Sequence, residues 1–135
     1  MLKVSDCMID GRRRLTVPGE LLQALSWSGR VGAGLPVRFD LVEAGLVVMQ
    51  PGEAAGTADS LSPEERADLD FVRPSGKWET ASRLTVPRLV CAHLFGPGVI
   101  SGGVFVIVEE DELQLWNEAY RLGQLASRRT RLGLG

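Results

Sequence analysis

Short apolar runs recur along the chain in a fixed order, and their spacing predicts small elements. Residues 35–42 and 46–49, and again 103–109 and 112–116, carry the apolar and β-branched content of short strands. Ahead of each pair, Leu21, Leu22 and Leu25, and later Val90, Cys91 and Leu94, fall at positions i, i+1 and i+4, on one face of a helix. Pro18 and Pro87 stand just before these runs. Proline holds φ near −65° and has no N–H to donate, so it suits the first helical position and suits later ones badly; each predicts a helix start. Gly29 and Gly98 stand where a helix of about three turns would end. Strand-like residues precede both prolines, so each half of the chain is predicted as β-α-β-β.

The two halves also share a phrase. Arg14-Leu15-Thr16-Val17-Pro18 returns as Arg83-Leu84-Thr85-Val86-Pro87, with Asp10 four residues before Arg14 and Glu79 four before Arg83. Downstream, Leu35, Val37 and Phe39 align with Val104, Val106 and Val108 at the same offset. A unit of about 45 residues cannot bury its apolar face alone, so each copy is expected to complete the core of the other. The intervening stretch changes character, with Pro51, Gly52 and Gly56 followed by Ser62-Pro63-Glu64-Glu65-Arg66. A serine before a proline and two glutamates is a helix-start signature and predicts a short helix over 63–70. The expected organisation is a first repeat over 1–50, a linker over 51–76, a second repeat over 77–122 and a basic tail over 123–135.

An acidic residue, three positions, Arg-hydrophobic-Thr-Val-Pro, a short helix, a glycine and paired strands together resemble the AbrB-type swapped-hairpin domain. Two in tandem, with Leu113-Gln114-Leu115-Trp116 ending the second, resemble the MraZ family. The resemblance covers about residues 5–50 and 77–122. It implies a mostly β fold with short helices, in which two tandem swapped-hairpin (AbrB-like) units form an intramolecular pseudo-dimeric β-barrel. It also implies a helix after each hairpin, corresponding to the linker helix and to Glu118–Ala126. Members of that family are bacterial regulators of the division and cell-wall gene cluster that bind double-stranded DNA and assemble into rings. The resemblance therefore implies a cytoplasmic, nucleoid-associated transcriptional regulator that self-associates.

Charge complicates this picture. The net charge is −2, from 15 Lys and Arg against 17 Asp and Glu. It is unevenly spread: residues 1–50 carry six basic against five acidic, 51–76 two against six, 77–118 three against six, and 119–135 four against none. A local basic stripe rather than the global balance decides where phosphates could dock. The acidic balance lowers the expected non-specific affinity and predicts steep salt sensitivity.

Arg12, Arg13 and Arg14 are the strongest candidates for DNA contact. In an extended segment Arg12 and Arg14 share one face and Arg13 takes the other. Arg14 reads either as the ion-pair partner of Asp10, an arrangement repeated by Arg83 with Glu79, or, as the resemblance implies, as part of the binding surface together with Arg83. Arg12 and Arg13 have no partner visible in the sequence and read as phosphate contacts or as a solvated pair. The residue before the motif arginine is often glycine in the family, but here it is Arg13 and Ser82. Ala81 and Ser82 remove two of the three positive charges from the second copy, and Lys77 replaces them only in part, so the first copy is expected to dominate binding.

Trp78 beside Lys77 reads as a base-stacking group or as loop packing. Trp116, with Leu113, Leu115 and Tyr120, reads as core or subunit contact. Arg128, Arg129 and Arg131 read as a disordered solvated tail. His93 is the single histidine, on a predicted amphipathic helix, where a partly buried structural role is expected. Gly32-Ala33-Gly34 follows a helix and reads as a turn. Cys7 and Cys91 lack metal-ligand spacing and read as reduced thiols. No nucleophile–base pair, metal cluster or phosphate-cradling loop is present in the sequence pattern, so no enzyme, cofactor or small-molecule substrate is expected. No run of about 18 apolar residues suggests a membrane span. The rival expectation is a protein-interaction or assembly module that has kept the fold and lost DNA binding, motivated by the acidic balance and the depleted second motif.

Overall fold

The computed structural model describes residues 3–26, 36–51, 62–65, 74–80 and 82–131. Gly29, the turn at 32–34, Leu35, Ala81 and linker residues 52–61 and 66–73 lie beyond the described residues. The chain is mostly β, as its β-branched runs imply. The strands are β1 (Lys3–Ile9), β2 (Arg14–Thr16), β3 (Pro36–Glu43), β4 (Leu46–Pro51), β5 (Ser75–Lys77), β6 (Arg83–Thr85), β7 (Gly102–Glu109) and β8 (Glu112–Trp116). The helices are α1 (Gly19–Gln23), α2 (Arg88–Phe95) and α3 (Glu118–Arg131).

Six strands form one curled, half-barrel antiparallel sheet in the order β1-β7-β8-β4-β3-β5, and β2 pairs with β6 in a separate ribbon. The first strand of each repeat pairs with the hairpin of the other: β1 with β7, and β5 with β3. The two hairpins join through β4 and β8. Two pairs mark a local two-fold relation. Leu15 faces Leu84, its own counterpart 69 positions later, and Val48 faces Gln114, 66 positions later. The spacing falls because the first repeat has a longer helix-to-strand connection and an irregularity between Leu41 and Glu43 in β3. The strand partners of β3 and β7 therefore correct the sequence alignment by two residues. Val37, Phe39 and Leu41 are the equivalents of Val104, Val106 and Val108. A shift of two preserves which face each side chain takes, so the apolar pattern alone could not detect it.

Both prolines cap their helices from outside: Pro18 (φ −56°, ψ 140°) and Pro87 (φ −59°, ψ 149°) keep extended backbone one residue before the first helical turn. The helices are shorter than predicted. α1 spans five residues and α2 ends at Phe95, with Gly96 (φ +110°) as its cap, two residues before Gly98. At residues 63–65 the chain is helical, and the Ser62 hydroxyl accepts the Glu65 N–H (3.1 Å), the expected serine cap. α3 runs through Arg131, so the backbone of the segment expected as a disordered tail is helical.

The core lies between the curled sheet, the β2–β6 ribbon and the first two helices. It unites Leu15, Val17, Leu21 and Leu25 with Leu84, Val86, Val90 and Leu94, over Val37, Phe39, Met49, Val104, Val106 and Leu115. Alternation along β7 sends Phe105 and Ile107 to the opposite face, where α3 packs. Arg121 stacks over the Phe105 ring at 4.3 Å, and Trp116 meets Tyr120 edge-on with centroids 5.0 Å apart. Each helix end leans on the other repeat's hairpin turn. Ser26 donates its N–H and hydroxyl to the Asp111 carboxylate, and His93 Nε2 donates to Glu43 O (2.6 Å); within the second repeat, Asn117 Nδ2 donates to Leu94 O (2.7 Å). Among the described residues, no helix is long and apolar enough to cross a membrane.

Candidate nucleic-acid interface

The β2–β6 ribbon carries the motif residues, and its two ends are tied across the repeats. Val86 N donates to Arg13 O (2.6 Å) and Val17 N to Ser82 O (2.8 Å), a reciprocal pair that obeys the local two-fold. The loop entering each ribbon strand is closed differently. In the first, Asp10 Oδ1 accepts the backbone N–H groups of Arg12 (2.8 Å) and Arg14 (2.9 Å), and Arg13 N donates to Asp10 O (2.9 Å). This is the self-bonding turn that a short carboxylate side chain makes. In the second, the Thr80 hydroxyl takes over, accepting from Ser82 N (3.3 Å) and Arg83 N (3.1 Å).

That substitution frees the Glu79 carboxylate, which gathers the motif arginines instead. Arg83 Nε lies 3.1 Å and Arg14 Nε 3.8 Å from the same Glu79 Oε2, and the Thr85 hydroxyl donates to Oε1. Asp10 and Glu79 thus occupy equivalent positions and do different jobs. The expected Asp10–Arg14 side-chain ion pair is replaced by a cross-repeat pair between Arg14 and Glu79. The Thr85 hydroxyl, followed by the two guanidinium groups, holds the Glu79 carboxyl below the usual carboxylate range; for Asp10 the Arg14 N–H is the main cause of the same direction of shift.

Arg12 and Arg13 do not alternate as strand residues would, because β2 begins only at Arg14. Arg13 sits in the turn with φ +62°, the left-handed region that glycine enters without steric cost. Its half-buried side chain reaches the second repeat, where Nη1 donates to Val86 O (3.1 Å). Arg12 is exposed and makes no ion pair among the described residues.

An open cleft of about 620 Å³ lies beside the ribbon, lined by Arg13, Lys77, Glu79, Thr85, Arg88 and Leu89, with Gly76 and Pro87. The structure therefore brings Arg13 and Lys77 to one surface with Arg88, and Arg14 and Arg83 onto Glu79. Arg12 stands outside the cleft lining. Arg88, exposed on the first turn of α2, was not recognised in the sequence. Its signal was its place directly after the motif proline, where the first repeat has Gly19. The cleft's cations come from both repeats, Arg13 from the first and Lys77 and Arg88 from the second. Trp78 takes no part: it is 1% exposed and belongs to the core, so base stacking is excluded. Cys7 is half-buried on β1 and Cys91 buried on α2, both as free thiols. Among the described residues, no group of three or more His, Cys, Asp or Glu is placed to hold a metal ion.

The chain matches no family model and no curated protein at a significant level.

Proposed function

We propose that the chain is an MraZ-like transcriptional regulator, two tandem swapped-hairpin units closed into a pseudo-dimeric barrel, that binds double-stranded DNA through the ribbon edge. The exchange of first strands between the hairpins, β1 onto β7 and β5 onto β3, supports the architecture. The observation that carries the DNA reading is the convergence of Arg13, Lys77 and Arg88 on one open cleft in a protein of net charge −2. Phosphate contacts from such a cluster fix register on a duplex, and base contacts must then come from the neighbouring loops. Arg12, at the exposed loop tip, is the group best disposed to leave the protein surface. The regulator is non-enzymatic and acts in the cytoplasm at the nucleoid.

Fluorescence anisotropy with a duplex from upstream of the protein's own gene, against a scrambled duplex, tests this at low and moderate salt. Preferential binding that weakens in Arg12→Ala and Lys77→Ala is expected. Equal or absent binding to both duplexes would transfer the reading to an assembly module of the same fold. One observation favours that rival: Val4 and Met8 on the edge strand β1, with Leu122 and Leu125 on α3, leave large apolar side chains exposed. Both readings include self-association, and linked weak sites on one duplex would gain avidity from it.

A further inference from the structure

Two arginines and one carboxylate share the centre of the ribbon, and the arrangement is lopsided. Glu79 Oε2 faces the Nε atoms of both Arg14 and Arg83, while Oε1 is anchored by the Thr85 hydroxyl. The dyad-related carboxylate, Asp10, is consumed by backbone N–H groups. The three side chains at the centre therefore carry one net positive charge, whereas Arg12, Lys77 and Arg88 around them make no ion pair among the described residues. We infer that Glu79 is a specificity-determining residue, an internal counter-ion that withholds Arg14 and Arg83 from non-specific phosphates until a matching duplex displaces it.

This rests on the DNA-binding reading and adds a mechanism to it. A phosphate approaching Arg14 or Arg83 must compete with a carboxylate already in place. An uncommitted duplex offers those arginines only phosphates, and exchanging one anion for another gains little. A cognate site that offers acceptors on base edges as well can draw the arginines away. The withheld arginines thus lower the non-specific background more than they lower cognate binding. Sequence identity could not reveal this, because Asp10 and Glu79 look equivalent until Thr80 takes the turn-closing role.

The test measures binding to scrambled and cognate duplexes as a function of salt for Glu79→Gln, with Asp10→Asn as the matched change of charge. Glu79→Gln retains an oxygen that can accept from Thr85 but cannot hold the guanidinium groups by charge. Each arginine it frees should steepen the slope of log K against log[salt] by about 0.9, which deepens the loss of affinity between 50 and 200 mM salt about threefold. Scrambled duplex should gain more than cognate duplex, and Asp10→Asn should leave the slope near that of the unmodified protein. Glu79→Asp, which keeps the charge but retracts it, should move in the same direction by less, and provides the readout if Glu79→Gln does not fold. A slope in Glu79→Gln equal to that in Asp10→Asn, or weaker binding by a folded Glu79→Gln protein, would overturn the inference while leaving DNA binding intact. No binding by any variant, the unmodified protein included, would overturn both.

Discussion

Leu15 lies opposite Leu84 in the β2–β6 ladder, each the repeat counterpart of the other, and both are fully buried. Truncating either removes apolar contact from both repeats at once, because the surrounding core draws on both. Leu15→Ala and Leu84→Ala should each cost about 2–5 kcal/mol. The double variant should lose less than the sum, because the second truncation enlarges a void already opened. Unfolding by urea should stay a single transition in every case. Separate transitions for the two halves would show that they are not one cooperative unit.

Asn117 closes the junction between β8 and α3 by occupying the space beside Gly45. Its N–H donates to Gly45 O (2.9 Å), its Oδ1 accepts the Tyr120 N–H (2.8 Å), and a Cβ on Gly45 would stand 2.4 Å from that Oδ1. Gly45 also has φ +83°, so Gly45→Ala combines backbone strain with a clash. Gly98, at φ +80°, has open space around its Cβ position and would meet the backbone term alone. Gly98→Ala is expected to cost about 1–2 kcal/mol and Gly45→Ala more. Equal thermal shifts for the two would mean that Asn117 yields freely.

Arg13 combines a backbone conformation suited to glycine with a side chain that reaches across the repeats. Arg13→Gly relieves the left-handed φ and loses the Val86 contact, whereas Arg13→Ala loses the contact and keeps the strain. The glycine variant should therefore be more stable than the alanine variant by about 1 kcal/mol, with both binding DNA more weakly than the unmodified protein. Denaturant midpoints in the reverse order would contradict the strain.

Much of this fold was legible because its signals are local. A proline restricts φ whatever surrounds it, so Pro18 and Pro87 marked helix starts, and the apolar runs at 35–42 and 103–109 marked the strands found at Pro36–Glu43 and Gly102–Glu109. The candidate site was legible only in part. Asp10 and Arg14 are near in sequence, and that proximity suggested a side-chain pair. The carboxylate instead bonds backbone N–H groups, and Arg14 finds Glu79 across the ribbon. A long-range pairing of this kind depends on which strand lies opposite which, and sequence spacing does not encode that. The burial of Trp78 was equally hidden, since its neighbours Lys77 and Glu79 are polar and its bridge partner Leu84 lies across the chain fold.

Acid should unfold the protein through its turn carboxylates. The carboxyls of Asp10, Glu79 and Asp111 are held below the ordinary range, chiefly by the Arg14 N–H, the Thr85 hydroxyl and the Ser26 hydroxyl respectively. A depressed folded-state pKa means that the unfolded chain binds more protons in acid. The stabilisation is complete above the ordinary carboxylate range and is lost as pH falls through the folded values. Tm should be nearly flat from pH 7 to about 5 and decline below it. Asp10→Asn, whose amide oxygen can accept the same two N–H groups but without the charge, should lose a little Tm at neutral pH and show a shallower acid limb. An unaltered limb would remove Asp10 from this account.

Arg88 offers a way to separate binding from stability. It lies in the first turn of α2, where the backbone N–H groups give the helix its positive end, and that turn contains no acidic residue, unlike α1 with Glu20. A cation there opposes the helix dipole. Arg88→Glu should therefore leave stability unchanged or raise it by about 0.3–1 kcal/mol. The same change places a negative charge in the cleft beside Lys77 and Arg13. DNA affinity should fall on cognate and scrambled duplexes alike, and the salt slope should become shallower by at least about 0.9. A loss of Tm together with binding would indicate that Arg88 supports the fold. A loss of binding with Tm intact assigns it to the phosphate-facing surface, in the position where the first repeat has only Gly19.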